Sequence, residues 1–245
     1  MWPSRRASRA RGVPSLVARR AAALVALGGL ALVALAAPIA APRAWTAPAT
    51  PAGPAATAPA TSSEPVLLAF GDSLTAGLGV PPEDSYPGQL AARLRAAGYH
   101  YRVVNGGISG DTSAGGLRRV DWALRARPAI VIVALGANDG LRGQDVAAMR
   151  ANLERIVERF QAAGARVLLA GMRLPVNYGD AYGDAFRGVY PVVARARRVP
   201  LVPFLLEGVG GRPALNQPDG IHPTAEGYRR VVDHLWPHLL PLLAK

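Results

Sequence analysis

No cysteine occurs in the 245 residues, which excludes disulfides, thiolate catalysis, cysteine-based zinc sites and lipid attachment through an N-terminal cysteine. The redox compartment is therefore unmarked. Clustered metal ligands are wanting, and no cofactor is called for. The stretch Gly71 to Gly79 lacks the Gly-Lys-Ser/Thr ending of a phosphate loop. Aromatic residues are only 6% of the chain, so its positive charge comes without the aromatic interleaving of a base-stacking surface.

That charge, +12 in all, is unevenly spread. Seven arginines and a single acid, Glu64, lie in the first 64 residues, which leaves residues 65–245 at +6. The pairs Arg118-Arg119, Arg197-Arg198 and Arg229-Arg230 fall on predicted helices and read as solvated helix faces. No nucleic-acid partner is expected.

The arginine-rich residues 1–20 precede a stretch, Ala21 to Pro42, without one charged side chain. This is the pattern of an export signal. The stretch is just long enough to cross a bilayer, although Gly28, Gly29 and Pro38 make it a poor anchor, so cleaved signal and uncleaved N-terminal anchor both stand. In either case the arginines stay cytoplasmic and the remainder is exported, to the periplasm or beyond. Residues 43–64, dominated by Pro, Ala and Thr, form a disordered linker. The folded domain is residues 65–245, long enough to bury about 70% of its unfolded surface around one core.

Within that domain strands and helices alternate. Val66–Phe70 is a buried strand, Tyr101–Val104 a second, Ala129–Leu135 a third, Arg166–Met172 a fourth and Leu201–Phe204 a fifth. A helix opens at Ser85-Tyr86-Pro87 and closes at Gly98; another, through Leu117, Val120 and Leu124, stops before Pro128. A third runs from about Asp145 to Ala163, with Met149, Leu153, Ile156, Val157 and Phe160 on one stripe. A fourth passes through Phe186, Tyr190 and Val193, where Pro191 kinks or ends it, and the last starts at Thr224 and is broken by Pro237 and Pro241. Asn105–Thr112, Gly136–Gly143 and Arg173–Asp180 read as loops. Five βα units predict an α/β domain, a three-layer doubly wound sheet of about five parallel strands with helices on both faces, flavodoxin-like in order.

In such a sheet ligands bind beyond the carboxyl ends of the strands. Four polar segments reach that edge: Gly71-Asp72-Ser73-Leu74, the loop from Asn105 to Asp111, Asn138-Asp139, and Asp219-Gly220-Ile221-His222. Gly-Asp-Ser is also ordinary turn chemistry, with Asp72 or Ser73 as a helix cap, and Asp219-Gly220 is also a plain turn. The functional reading makes Ser73 a nucleophile, which needs a base, a group to orient that base and donors for an oxyanion. Of the four histidines only His222 falls in a loop at this edge, and Asp219, three residues earlier, is placed to meet its Nδ1.

These residues, with Gly110 in Ile108-Ser109-Gly110-Asp111-Thr112-Ser113, resemble the four blocks of the SGNH hydrolases, also called GDSL esterases. Asn138-Asp139-Gly140-Leu141-Arg142-Gly143, Met172-Arg173-Leu174-Pro175 with Asn177-Tyr178-Gly179, and Val202-Pro203-Phe204 resemble the periplasmic thioesterase I, lysophospholipase and arylesterase branch. The resemblance implies a serine esterase or thioesterase working through an acyl-enzyme on Ser73, with His222 as base and Asp219 as its orienter. It implies an oxyanion hole from the Ser73 and Gly110 amides and the Asn138 side chain. Ala137 stands where this branch often has glycine, and the linker before Pro65 is no part of the pattern. The absence of a Gly-x-Ser-x-Gly elbow argues against an α/β-hydrolase.

The loop carrying Leu174, Pro175, Val176, Tyr178 and Tyr182 is the one most able to form an acyl groove, and Leu174, Pro175 and Tyr178 are taken as substrate-binding; the same aromatics could instead pack over a helix end. Acyl thioesters, aryl esters or lysophospholipids suit such a groove, as small-molecule substrates of a monomer. A carbohydrate or cell-wall O-acetyl esterase and a silent lipid- or glycan-binding domain are the competing readings. A membrane tether through residues 21–42 is expected if the signal is not cleaved.

Overall fold

The computed structural model describes residues 64–244. The export signal or anchor at 1–42 and all of the expected linker but Glu64 lie outside the described residues, among which no helix is long and apolar enough to cross a membrane.

The sheet has five parallel strands, β1 (Val66–Gly71), β2 (Arg102–Gly107), β3 (Pro128–Ala134), β4 (Arg166–Ala170) and β5 (Leu201–Val202), in the order β2-β1-β3-β4-β5. Strand β1 is buried along its whole length and pairs on both sides, Leu68 opposite Val104 of β2 and Val131 of β3. This is why its sequence is apolar without alternation. From β1 the order runs one way to β2 and the other way through β3, so the carboxyl ends of β1 and β3 mark the switch point where a crevice opens.

The helices are α1 (Ser73–Ala76), α2 (Tyr86–Ala96), α3 (Ser113–Leu124), α4 (Ala137–Leu141), α5 (Val146–Ala162), α6 (Asp180–Arg197) and α7 (Ala225–Leu239). Side chains capping their starts come where the sequence offers them: Ser85 accepts from Gly88 N, Asp145 from Ala148 N and Thr224 from Gly227 N. Helices α3, α5 and α6 pack together on one face and α2 with α7 on the other. The stripe Met149, Leu153, Ile156, Val157 and Phe160 of α5 is buried as its spacing predicts, with Phe160 edge-on to Phe70 of β1 at 5.1 Å.

Six local expectations are corrected. Strand β2 runs on through Gly106 and Gly107, expected as loop, because these pair with Phe70 and Gly71. A Cβ on Gly107 would lie 2.2 Å from the Ala76 amide nitrogen, so only glycine lets α1 sit over this strand end. Residues 137–141, expected as loop, form the short helix α4 behind Gly136, whose φ is 112°. Helix α6 does not end at Pro191, nor α7 at Pro237. A proline removes only its own bond to the carbonyl four residues back, and the burial of Phe186, Val189, Tyr190, Val193 and Ala194 outweighs that loss in α6. Strand β5 stops at Val202 rather than Phe204, since Pro203 has no N–H to continue the ladder, and β4 stops at Ala170.

Candidate active site

Ser73 lies beyond β1 with one residue between and is the first residue of α1, one turn long. Asp72, its neighbour, caps that turn by accepting from Leu74 N at 3.0 Å. With the cap supplied from Asp72, the Ser73 hydroxyl is free for other partners. It lies 2.9 Å from His222 Nε2, and His222 Nδ1 is 2.6 Å from Asp219 Oδ2. Ser73 and His222 are brought together across the sheet from positions 149 residues apart.

The Asp219 turn is built to hold the ring. Its other oxygen, Oδ1, accepts from the Ile221 and His222 amides at 2.9 and 3.0 Å, so both carboxylate oxygens are fixed. The His222 amide above all, with the His222 ring and the Ile221 amide, holds the Asp219 carboxyl down to about 2, from an ordinary 3.8. It is charged at any pH where the fold operates. A carboxylate on Nδ1 fixes the tautomer with its proton on that nitrogen and leaves Nε2 as an acceptor facing Ser73.

Asn138, second residue of α4, donates from Nδ2 to the Asp111 carbonyl at 2.9 Å, which fixes the plane of its amide and leaves its second N–H unspent. Gly110 has φ of 78°, a left-handed conformation open to glycine, and its carbonyl accepts from Arg142 Nη2 at 3.0 Å. Among the described residues the Ser73 and Gly110 amides donate to no other backbone group. Next to Asn138, the buried Asp139 accepts from Ser113 N at 2.8 Å and Ser113 Oγ at 2.5 Å, locking α4 against α3.

A cleft of about 550 Å³ opens beside Ser73 and His222. Its apolar lining comes from Ala137, Leu141, Met172, Leu174, Pro175, Phe204, Leu206 and Ile221. Leu174 and Pro175 thus line the space they were expected to line, but Tyr178 does not. Its hydroxyl donates to the Leu141 carbonyl at 2.9 Å, and that of Tyr182 to the Gln144 carbonyl at 2.9 Å, so both aromatics pack over the end of α4.

Comparison with known proteins bears on this constellation. Residues 69–230 match the model of the GDSL-like lipase/acylhydrolase family. The chain belongs to this family. It is similar to esterase TesA of Pseudomonas aeruginosa, 48% identical over 72% of this chain and 89% of that one, and to an arylesterase of Vibrio mimicus, 42% identical over 65% and 80%. The thioesterase 1/protease 1/lysophospholipase L1 of Escherichia coli K12 is 40% identical over 72% of this chain and 84% of that one. Among solved structures, TesA superposes with a TM-score of 0.71 at 48% identity, covering 73% of this chain and 99% of its own. This GDSL-like hydrolase is therefore an ester-hydrolysing enzyme.

The arginine pairs need one correction. Arg118 is solvent-exposed, but Arg119 is not a surface group. Its guanidinium donates to the Gly71 and Gly106 carbonyls, both at 2.8 Å, pairs with Asp111 at 2.6 Å and lies 3.9 Å from the Phe70 ring centroid. It thereby ties the ends of β1 and β2 to the loop bearing Gly110. Helical spacing carries the signal for this, because Arg119 is three residues from the buried Gly116 and four from the buried Ala123. Phe204, Leu206 and Ile221 also line the cleft, which the sequence reading did not single out; only their place after β5, at the carboxyl edge of the sheet, marks them in the sequence.

Asp72 is 2% exposed, and burial pushes its carboxyl up to about 6, partly countered by the Leu74 amide. A carboxyl raised on folding contributes stability below its unfolded value and loses it as pH rises through about 6. Asp72→Asn keeps a cap acceptor and removes the buried charge. Its thermal midpoint is expected to match wild type near pH 4 and exceed it at pH 8, by an amount equivalent to about 1–3 kcal/mol. Equal midpoints across that range would show that Asp72 carries no burial penalty.

Proposed function

We propose that this chain is an exported serine esterase and thioesterase that cleaves carboxylic esters and thioesters of medium or long acyl chains. The observation that carries the reading is the unbroken contact chain from Asp219 through His222 to Ser73, ending at the floor of an apolar cleft.

In this reading Ser73 Oγ attacks the acyl carbonyl while His222 Nε2 takes its proton, and Asp219 holds the imidazole in register and stabilises the imidazolium. The Ser73 and Gly110 amides and the free N–H of Asn138 receive the oxyanion. His222 then gives its proton to the leaving alcohol or thiol. Water enters by the same base to release the acid from the acyl-enzyme. The cleft walls of Leu141, Leu174, Pro175, Leu206 and Ile221 take the acyl chain. Export is supported by the arginine-rich start and the charge-free Ala21–Pro42, with the same stretch as a membrane tether where it is retained.

A panel of esters from acetyl to palmitoyl, with acyl thioesters and a lysophospholipid, tests the substrate class. Burying each added methylene should raise kcat/KM about fourfold until the groove is filled. A sharp preference for acetyl would instead indicate a deacetylase, and inactivity throughout a binding domain.

A further inference from the structure

We propose that the edge of the sheet opposite the cleft is a docking face for anionic phospholipid bilayers, which holds the domain with its active site turned away from the membrane. In a parallel sheet all the helix-to-strand turns lie at the amino edge. Every such turn here carries exposed arginine: Arg102 opens β2, Arg125 and Arg127 precede β3, Arg166 opens β4, and Arg195 and Arg198 precede β5. None of the six forms an ion pair among the described residues, whereas the nearby acids Asp121 and Glu158 are already held by Arg159 and Arg197. The strand order spreads these arginines across the full width of the sheet. At the opposite edge the signs are mixed, with exposed Glu83, Asp145, Asp180 and Asp219 among Arg142, Arg173 and Arg212.

Favourable charge at helix C-termini accounts for part of this pattern. It does not account for Arg102 and Arg166, which are first residues of strands. Nor does it account for the positive φ, 47° and 53°, of Arg127 and of Arg198, the C-cap of α6, the described non-glycine residues with that conformation. Glycine is the residue such positions favour, and arginine stands there at a conformational cost.

Two features select a bilayer over other polyanions. Apolar side chains are exposed at the same edge, Trp122 in the last turn of α3 at 56% and Leu240 at the end of α7 at 38%. An indole beside arginines suits the headgroup boundary, where the ring meets acyl chains and the guanidinium meets phosphate. The polypeptide also enters the domain at this edge, through Glu64 and Pro65 ahead of β1, on the same side as the arginines. That geometry leaves the cleft open for substrates arriving from the aqueous side.

The test is cosedimentation of residues 64–245 with vesicles of phosphatidylglycerol and phosphatidylcholine, beside the triple variant Arg102→Gln, Arg127→Gly and Arg198→Gly. The two glycines relieve the positive-φ positions, so the variant should keep its thermal midpoint and its rate on a soluble short-chain ester. Wild type should bind the mixed vesicles, lose binding as salt rises and ignore pure phosphatidylcholine. The variant should bind about a hundredfold more weakly, about fivefold for each arginine lost. Equal binding by a variant with unchanged midpoint and ester rate would overturn the proposal. So would indifference of wild type to lipid charge, or binding of wild type to DNA or anionic polysaccharide but not to vesicles. The ester rate is read separately, so a failure of the esterase reading would not be mistaken for a failure of docking.

Discussion

Ser73→Ala is expected to lower ester turnover by about 10⁴–10⁶, and to abolish labelling by a fluorophosphonate probe that marks wild type at that residue. The size of the effect follows from what the substitution removes and what it leaves. It deletes the oxygen that lies 2.9 Å from His222 Nε2. It leaves the Asn138 amide, the Gly110 turn and the cleft walls untouched, so substrate still binds and the developing oxyanion still finds donors; a residual rate of about 10³–10⁴ over water belongs to them. The fold should not notice. Helix α1 is capped by Asp72, not by Ser73, and alanine at a first helical position costs within about 0.5 kcal/mol. An unchanged thermal midpoint with lost turnover and unchanged KM is therefore the signature. Labelling that persisted in the variant, or turnover within tenfold of wild type, would remove Ser73 as nucleophile.

The path from chain to site was legible to the degree that backbone regularity determines it. Apolar runs bounded by helices required a parallel sheet, and a parallel sheet sends every strand's carboxyl end to one edge, so Ser73, Gly110, Asn138 and the Asp219–His222 turn had to gather there whatever the side-chain details. What was not legible depends on contacts between distant segments. Gly106 and Gly107 read as loop because glycine is a poor strand former, yet their place is set by β1 alongside and by α1 above. Pro191 reads as a stop, and only the buried face of α6 shows why it is passed. Arg119 reads as surface charge until three partners from separate segments, the Gly71 and Gly106 carbonyls and Asp111, are seen around it. Tyr178 reads as a groove wall, whereas its hydroxyl satisfies the Leu141 carbonyl at the end of a helix, α4, that the sequence did not announce.

The second large effect is expected at Asp219. Asp219→Asn is isosteric, and its Oδ1 can keep accepting from the Ile221 and His222 amides, so the turn survives. The atom that faces His222 Nδ1 becomes an NH₂ group, which donates and cannot accept. The imidazole answers by carrying its proton on Nε2, and an Nε2–H cannot take the proton of Ser73. Turnover at pH 7–8 is expected to fall by about 10⁴, the cost of a wrong tautomer in an intact triad. Stability should hardly move, because the Asp219 side chain is 44% exposed and solvent screens its charge. The pH dependence separates this from a titration of Asp219 itself. In wild type the carboxyl is lowered by folding, to about 2, so its contribution to stability is present above the unfolded value of 3.8 and is lost only as pH falls through about 2. Between pH 4 and 9 the charge of Asp219 is constant in wild type, so the deficit of the variant is no titration of Asp219 but the sum of the wrong tautomer and the lost stabilisation of the imidazolium. Measuring kcat/KM for both proteins across that range, with thermal midpoints alongside, settles the point. A variant within tenfold of wild type would transfer the orienting role elsewhere, and Asp72, buried beneath Ser73 and already engaged with the Leu74 amide, is the carboxylate that Asp72→Asn would then have to show to be essential.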